Sequence, residues 1–248
     1  VKSISSSIDS IIRQSWKHWE LIIIDDKSTD GTQGILEIYA NKDHRIKIFY
    51  NEINCGLAYC LNKAIKLSKG EFIARMDSDD ISFSKRLEKQ VDFLMRNPNV
   101  DVLGTGAQLV NSEGKLVSTL ILPSSHAGIV SQRYLKPFFI HPSVMFRADF
   151  FERFGGYNEK LRKTEDLDLW LRVRRNASFH NLPEVLFQYT YKPILPFKTF
   201  YSDFKVRFIH MLESGELLFK GYELILYLVR FLLLTYTPYI SKSSKENS

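Results

Sequence analysis

Three strand-length apolar runs, "WELIIIDD" at 19–26, "RIKIFYN" at 45–51 and "EFIARM" at 71–76, are separated by helical patterns, "TQGILEIYANK" and "GLAYCLNKAIKLS". This alternation constrains the fold more than any other feature. Strand, helix, strand, helix, strand at such spacing calls for right-handed crossovers and a parallel sheet. The run of four apolar residues in 21–24 suits a strand buried on both faces. "STDGT" supplies turn residues, with Ser28 or Thr29 available to start the first of these helices.

Two of the strands end in carboxylates: Asp25 and Asp26 after the first, and Asp77, Asp79 and Asp80 in "ARMDSDD" after the third. In open α/β sheets ligands bind beyond the carboxyl ends of the strands, so both acidic groups can face one crevice. Three carboxylates in four positions repel one another unless a cation, a helix N-terminus or water relieves them. A divalent-metal site is one reading. A solvated turn capping the helix in "SFSKRLEKQVDFLM", with Ser82 or Ser84 as N-cap, is the other.

The chain has 248 residues, 44% of them hydrophobic, enough to fill the core of one large α/β domain. Net charge is +6, which favours anionic partners such as nucleotide phosphates or an acidic membrane surface. No nucleic-acid-binding motif accompanies the scattered basic residues, so nucleic acid is not expected as a partner. Cys55 and Cys60 lack a nearby His to complete a zinc set and read as reduced thiols of a cytoplasmic protein. An amphipathic helix with Ile4, Ile8, Ile11 and Ile12 on one face opens almost at residue 1, where such domains usually begin with a strand. The expectation is therefore that a first strand is missing.

Beyond residue 97 the pattern turns antiparallel. Two strands flank the turn at 111–114, "HPSVMFR" makes another, and helices follow at "ADFFERFGG" and "EDLDLWLRVRRN". "LPEVLFQYTY" closes a domain placed at 1–192, leaving 193–248 as a helical tail. Within 217–240 the tail is strongly apolar, but Lys220, Glu223 and Arg230 interrupt it, which argues against a membrane span. Two readings stay open: a helix packed on the domain, or an in-plane helix docking on a membrane with help from Lys198, Lys205, Arg207, Lys220, Arg230, Lys242 and Lys245.

"ELIIIDDKSTDGT", "NCGLAYCLNKAI", "KGEFIARMDSDD" and "TEDLDLWLR", in this order, resemble the family 2 glycosyltransferases. The resemblance covers roughly residues 3–190. It implies a GT-A fold, a nucleotide-binding mixed sheet flanked by helices, and inverting transfer from a nucleotide-diphospho-sugar, with a UDP-sugar as the commonest donor. It assigns Asp79 as ligand of Mn²⁺ or Mg²⁺, Asp77 as its partner or a ribose contact, and Asp80 as a supporting residue or helix cap. Asp26 is implied at the nucleoside, with Asp25 beside it in the turn. Asp166 is implied as the base that deprotonates the acceptor hydroxyl, and Glu165 as its neighbour. The bland alternative is that Thr164 caps this helix and the acids merely complement its dipole. His141 and Trp170 are candidates for the acceptor side, although a large aromatic at helical spacing usually fills the core.

No Gln-x-x-Arg-Trp motif follows "TEDLD", which by resemblance implies transfer of a single sugar rather than polymer synthesis. The acceptor expected is a glycan or a lipid-linked sugar in surface polysaccharide synthesis, reached from the cytoplasmic face of a membrane. A nucleotidyltransferase and a catalytically silent glycan-binding scaffold are the competing readings. The first would show a Gly-rich phosphate loop after its first strand, and the second is not distinguishable by residue type.

Overall fold

The structure, a computed structural model, describes residues 2–131, 134–191 and 197–243. Helix α1 (Lys2–Ile12) buries Ile4, Ile8 and Ile11, and strand β1 (Leu21–Asp25), helix α2 (Thr32–Lys42) and strand β2 (Ile46–Tyr50) follow. β1 and β2 pair in parallel, Leu21 opposite Ile46 and Asp25 opposite Tyr50. Ile4, Ile8, Leu36 and Ile46 form a small core over this pair. The first turn of α2 is not capped by Ser28 or Thr29. Gly31, at φ 84°, occupies the N-cap, because the Asp25 carboxylate has already drawn the Ser28 N–H into the preceding turn.

After helix α3 (Leu57–Leu67), strand β3 (Phe72–Ala74) leaves the parallel pattern and pairs antiparallel with a later strand. The β1–β2 pair is thus its own two-stranded sheet. A contact nevertheless ties the starts of β1 and β3: the Lys69 N–H donates to the Glu20 carboxylate at 2.7 Å. The expectation of one parallel run through all three strands is corrected here.

The larger sheet contains β3, strand β4 (Ile81–Ser82), strand β5 (Val102–Val110), strand β6 (Leu116–Leu120), strand β7 (Met145–Arg147) and strand β8 (Phe179–Thr190). Its order is β3-β7-β5-β8-β4, with β6 on β5. β5 runs parallel to β8, and all its other pairings are antiparallel. Helix α4 (Arg86–Arg96) covers one face with Leu87, Val91 and Leu94. The short helices α5 (His126–Ser131) and α6 (Phe150–Phe154) and helix α7 (Glu165–Val173) belong to the other layer, around an aromatic core of Phe139, Phe146, Trp170 and Phe179. The tail is helix α8 (Phe197–Glu213) and helix α9 (Leu217–Ser243). It is not set apart from this core, since Val206, Met211 and Leu224 are buried in it.

Close approach of β5 and β8 depends on Gly104. A Cβ there would lie 2.1 Å from Asn181 Oδ1 and 2.7 Å from Phe139 Cδ1. Asn181 cannot simply swing away, because its amide donates to the carbonyls of Pro123 and Phe138. Gly104→Ala should destabilise the fold by about 1–3 kcal/mol, read as a lower midpoint in urea with unchanged slope. An unchanged midpoint would show that the two strands are not held this tightly.

Candidate active site

The turn after β3 is fixed from two sides before any ligand is considered. On one side, a polar seam along α1 grips it: Ser7 Oγ donates to the carbonyls of Ser78 (2.9 Å) and Asp80 (2.6 Å), and Ser10 Oγ accepts from the Ser82 N–H. Gln14, fully buried, adds donors to the carbonyl and hydroxyl of Ser82 and the carbonyl of Phe83, and its own oxygen accepts from the Leu87 N–H. On the other, Thr190 at the end of β8 donates its N–H to Asp80 Oδ1 (2.8 Å) and its hydroxyl to the Asp79 carbonyl (2.6 Å). α1 thus buries two seams, isoleucines against the small sheet and serines against the acidic turn. Only the first is visible as apolar periodicity.

This clamping brings Asp77, Asp79 and Asp80 together, one carboxylate oxygen of each within 4.8 Å of the others. Asp77 and Asp79 are half-buried, whereas Asp80 is fully buried. Burial, reinforced by the charges of Asp77 and Asp79, pushes the Asp80 carboxyl up to about 7. Its Oδ2 has no hydrogen-bond partner. The helix-cap role for Asp80 is corrected: α4 starts later, with Lys85 at the N-cap, and Ser82 lies in β4.

Arg75 was not among the residues the sequence singled out. Its side chain is buried, and Nη2 donates to Asp77 Oδ1 at 2.6 Å, while Nε and Nη1 have no partner. Beneath it Arg86, entirely buried, donates to the Arg75 carbonyl and holds this backbone in place. The available signal was a charged residue at the end of a strand whose neighbours are apolar; buried charges are rare unless paired or functional.

A second cluster forms at the start of α7. His141, Glu165 and Asp166 each offer a ligand-type atom within 4.8 Å of the others. His141 lies in a short 3-10 turn, His141–Ser143, leading into β7. Burial, aided by the charge of Arg75, holds its imidazole well below the usual pKa, so the ring is neutral. Nε2 is 2.9 Å from the Tyr157 hydroxyl and Nδ1 is 3.9 Å from Asp166 Oδ2. If Tyr157 donates to Nε2, the ring proton lies on Nδ1, the nitrogen nearer Asp166. Burial and the adjacent Asp166 charge push Glu165 up to about 7. Burial also raises Asp166, although a third of its side chain is open to solvent.

The charge of Arg75 reaches Asp80, Glu165 and Asp166, lowering each, and the charge of Asp77 raises Glu165. The two carboxylate groups therefore share one field centred on a single buried guanidinium. Thr164 does not cap α7 through its side chain: it adopts φ 64° and its hydroxyl contacts Ser202 on α8. Asp168 stands apart from the cluster, paired with His210 of α8 at 3.2 Å.

Asp25 and Asp26 are engaged at the ends of β1 and α3. Asp25 accepts from the Ser28 N–H and from Gln33, the turn role its residue type suggests. Asp26 accepts from Asn51 Nδ2 and from the N–H groups of Cys55 and Gly56, each at 2.8 Å. Burial opposes its charge, yet these donors together hold its carboxyl below the ordinary range. Trp170 is corrected as a sugar-stacking candidate. It is 2% exposed, packed against Phe139, Phe146 and His141, and supports the site from below.

Comparison with known proteins agrees with this geometry. The model for glycosyl transferase family 2 matches residues 1–155. The putative glycosyltransferase EpsE of Bacillus subtilis is 42% identical over 192 residues, covering 75% of this chain and 68% of EpsE. The O-antigen biosynthesis glycosyltransferase WbnJ of Escherichia coli is 38% identical, over 76% of this chain and 74% of WbnJ. Among solved structures, S. aureus TarS 1–349 in complex with UDP superposes with a TM-score of 0.68 at 23% identity, over 95% of this chain and 70% of that one. The likeness identifies the fold as GT-A, a mixed sheet flanked by helices. The chain is a glycosyltransferase and belongs to glycosyl transferase family 2.

Proposed function

We propose that the protein is an inverting enzyme that moves one sugar from a nucleotide-diphospho-sugar, a UDP-sugar, to a hydroxyl of a glycan or lipid-linked acceptor in surface polysaccharide synthesis. The observation that carries this reading is the pair of carboxylate clusters that both feel the charge of Arg75: one suited to a diphosphate and its cation, the other to a proton. The donor and pathway classes are supported by names among the relatives and neighbours. WbnJ is named an O-antigen biosynthesis glycosyltransferase and TuaG a putative teichuronic acid biosynthesis glycosyltransferase, TarS is solved with UDP and with UDP-GlcNAc, and a Pyrobaculum calidifontis mannosyltransferase with GDP-Man and Mn²⁺.

The residues present fit a divalent cation. Carboxylate oxygens suit Mg²⁺ and Mn²⁺, and the buried Asp80 Oδ2 beside Asp77 and Asp79 is an acceptor with no hydrogen-bond donor. Asp79, with Asp77, would hold the ion, and Asp80 would stiffen the turn and add its field. A bound cation would neutralise charge developing on the leaving diphosphate.

Asp26 serves the nucleoside end, where a carboxylate accepts from base or ribose donors. Asp166 takes the proton of the acceptor hydroxyl, whose oxygen attacks the anomeric carbon as the bond to the diphosphate oxygen breaks. Neutral His141, held by Tyr157, orients Asp166, and Glu165 flanks it. A single displacement inverts the centre.

Asp79→Ala tests the cation assignment. Titrating UDP in the presence and absence of Mn²⁺ should show at least about 10-fold weaker Mn²⁺-dependent binding in the variant, with metal-free binding little changed. Equal Mn²⁺-dependent affinities would remove Asp79 from the ligand set.

A further inference from the structure

α9 is built inside out. Leu218, Phe219, Tyr222, Ile225, Leu226 and Val229 recur at i, i+1, i+4, i+7, i+8 and i+11, which is one helical face, and their exposures run from 44% to 91%. Its two described charged side chains, Lys220 and Glu223, point the other way. Glu223 is 3% exposed and paired with Lys220 at 3.0 Å on the side packed against the protein. On that inner side Tyr227 and Phe231 stack on Phe200 of α8. Folding in water alone favours the opposite arrangement, because each exposed apolar side chain forgoes the stabilisation that burial would give it.

α8 repeats the pattern. Phe197, Tyr201, Phe208, Ile209 and Leu212 share an outward face and are 38–70% exposed. Lys198 and Lys205 lie exposed on this same face. Among the described residues no helix is long and apolar enough to cross a membrane. Arg230, Lys242 and Lys245, also basic positions of the tail, lie outside the described side chains.

We propose that the outward faces of α8 and α9 lie in the plane of an anionic lipid surface. An apolar face rich in Phe and Tyr with lysines set into it suits the headgroup boundary, where the rings and lysine stems enter the apolar layer and the ammonium groups reach lipid phosphates. A face closing on a second copy of itself would instead bury Lys198 and Lys205 without a matching row of acids. The docking surface is also mechanically joined to the site. Ser202 of α8 contacts Thr164, and His210 of α8 pairs with Asp168, so α8 is strapped along the helix that carries Glu165 and Asp166. A lipid-linked acceptor is then delivered next to its base. That last step rests on the glycosyltransferase reading proposed above, whereas the docking does not.

The test is flotation of the full chain with phosphatidylcholine vesicles, with and without 30% phosphatidylglycerol, alongside Mn²⁺-dependent UDP binding in solution. Expected is co-flotation with the anionic vesicles only, reduced about 10-fold or more by Leu218→Glu with Ile225→Glu, and lowered by 0.5 M NaCl or by Lys198→Glu with Lys205→Glu. UDP binding should be the same in all these variants, which shows that they fold and keeps the enzymatic reading on a separate measurement. Absence of wild-type flotation overturns the proposal. So does a dimer in light scattering that Leu218→Glu dissociates while flotation is unaffected, since the face would then be a contact between copies.

Discussion

Asp166→Asn lowers sugar transfer by about 10²–10⁴-fold while Mn²⁺-dependent UDP binding stays at the wild-type level. Asn keeps the size of the side chain but cannot accept the hydroxyl proton, and Asp166 lies in the cluster with His141 and Glu165 rather than with Asp77, Asp79 and Asp80. Stability should not fall, because burial already disfavours the charge that the substitution removes. The pH profile provides a second readout. A base works only when ionised, and burial raises the Asp166 pKa, so kcat/KM should drop on the acid side at a pH above the ordinary carboxylate range. Glu165, pushed up to about 7, titrates beside it, so the limb belongs to the pair. Full transfer by the Asn variant, or an acid limb at the pKa of a free carboxylate, would move the base elsewhere.

The alternation of apolar runs and helical patterns made most elements legible, and α1 and α7 bury the faces their periodicity predicts, whereas β1, expected to be buried on both faces, leaves Leu21, Ile22, Ile23 and Ile24 only half-buried because its sheet has just two strands. What periodicity could not convey was pairing. β3 reads like β1 and β2, yet it pairs antiparallel with β7, a choice set by partners more than 70 residues away. Local rules also missed the caps. Ser28, Ser82 and Thr164 are good N-cap types, but Ser28 has its N–H committed to the local turn at Asp25, and Ser82 and Thr164 are committed to tertiary contacts with Ser10 and Ser202.

The acidic motifs were legible as clusters, and the structure brings His141 beside Glu165 and Asp166. Arg75 was not legible, since its significance is the lack of partners on Nε and Nη1 in a buried place beside Asp77. No local pattern encodes that. The polar seam of Ser7, Ser10 and Gln14 is similar: in sequence Ser7 and Ser10 look like the solvent face of α1 and Gln14 like a residue of the loop after it, and only the turn at Ser78–Ser82 gives them a use.

Asp80→Asn stabilises the cation-free protein at pH 8 by about 2–4 kcal/mol, and weakens its response to Mn²⁺. The wild-type carboxyl is pushed from 3.8 up to about 7, with burial as the main cause. A raised folded-state pKa means that the stability this group contributes is fully present below the unfolded value and is lost as pH rises through about 7. The gain from Asn should therefore be small near pH 4, grow between pH 4 and 7 and level off by pH 8, roughly following the two pKa values. Asn suits the contacts. Its oxygen can still accept the Thr190 N–H, and its amide places donors where Oδ2 now lacks one, next to Asp77 and Asp79. A divalent cation relieves the same crowding, so Mn²⁺ should raise the wild-type melting temperature more than that of the variant. Melting curves in EDTA and in Mn²⁺ across this pH range decide the matter. A variant no more stable than wild type at pH 8 in EDTA would mean that Asp80 is already neutralised within the fold. A gain independent of pH would assign the effect to packing. The predicted combination, greater stability with weaker cation dependence, is what results when a chain tolerates crowded carboxylates for the sake of what they bind.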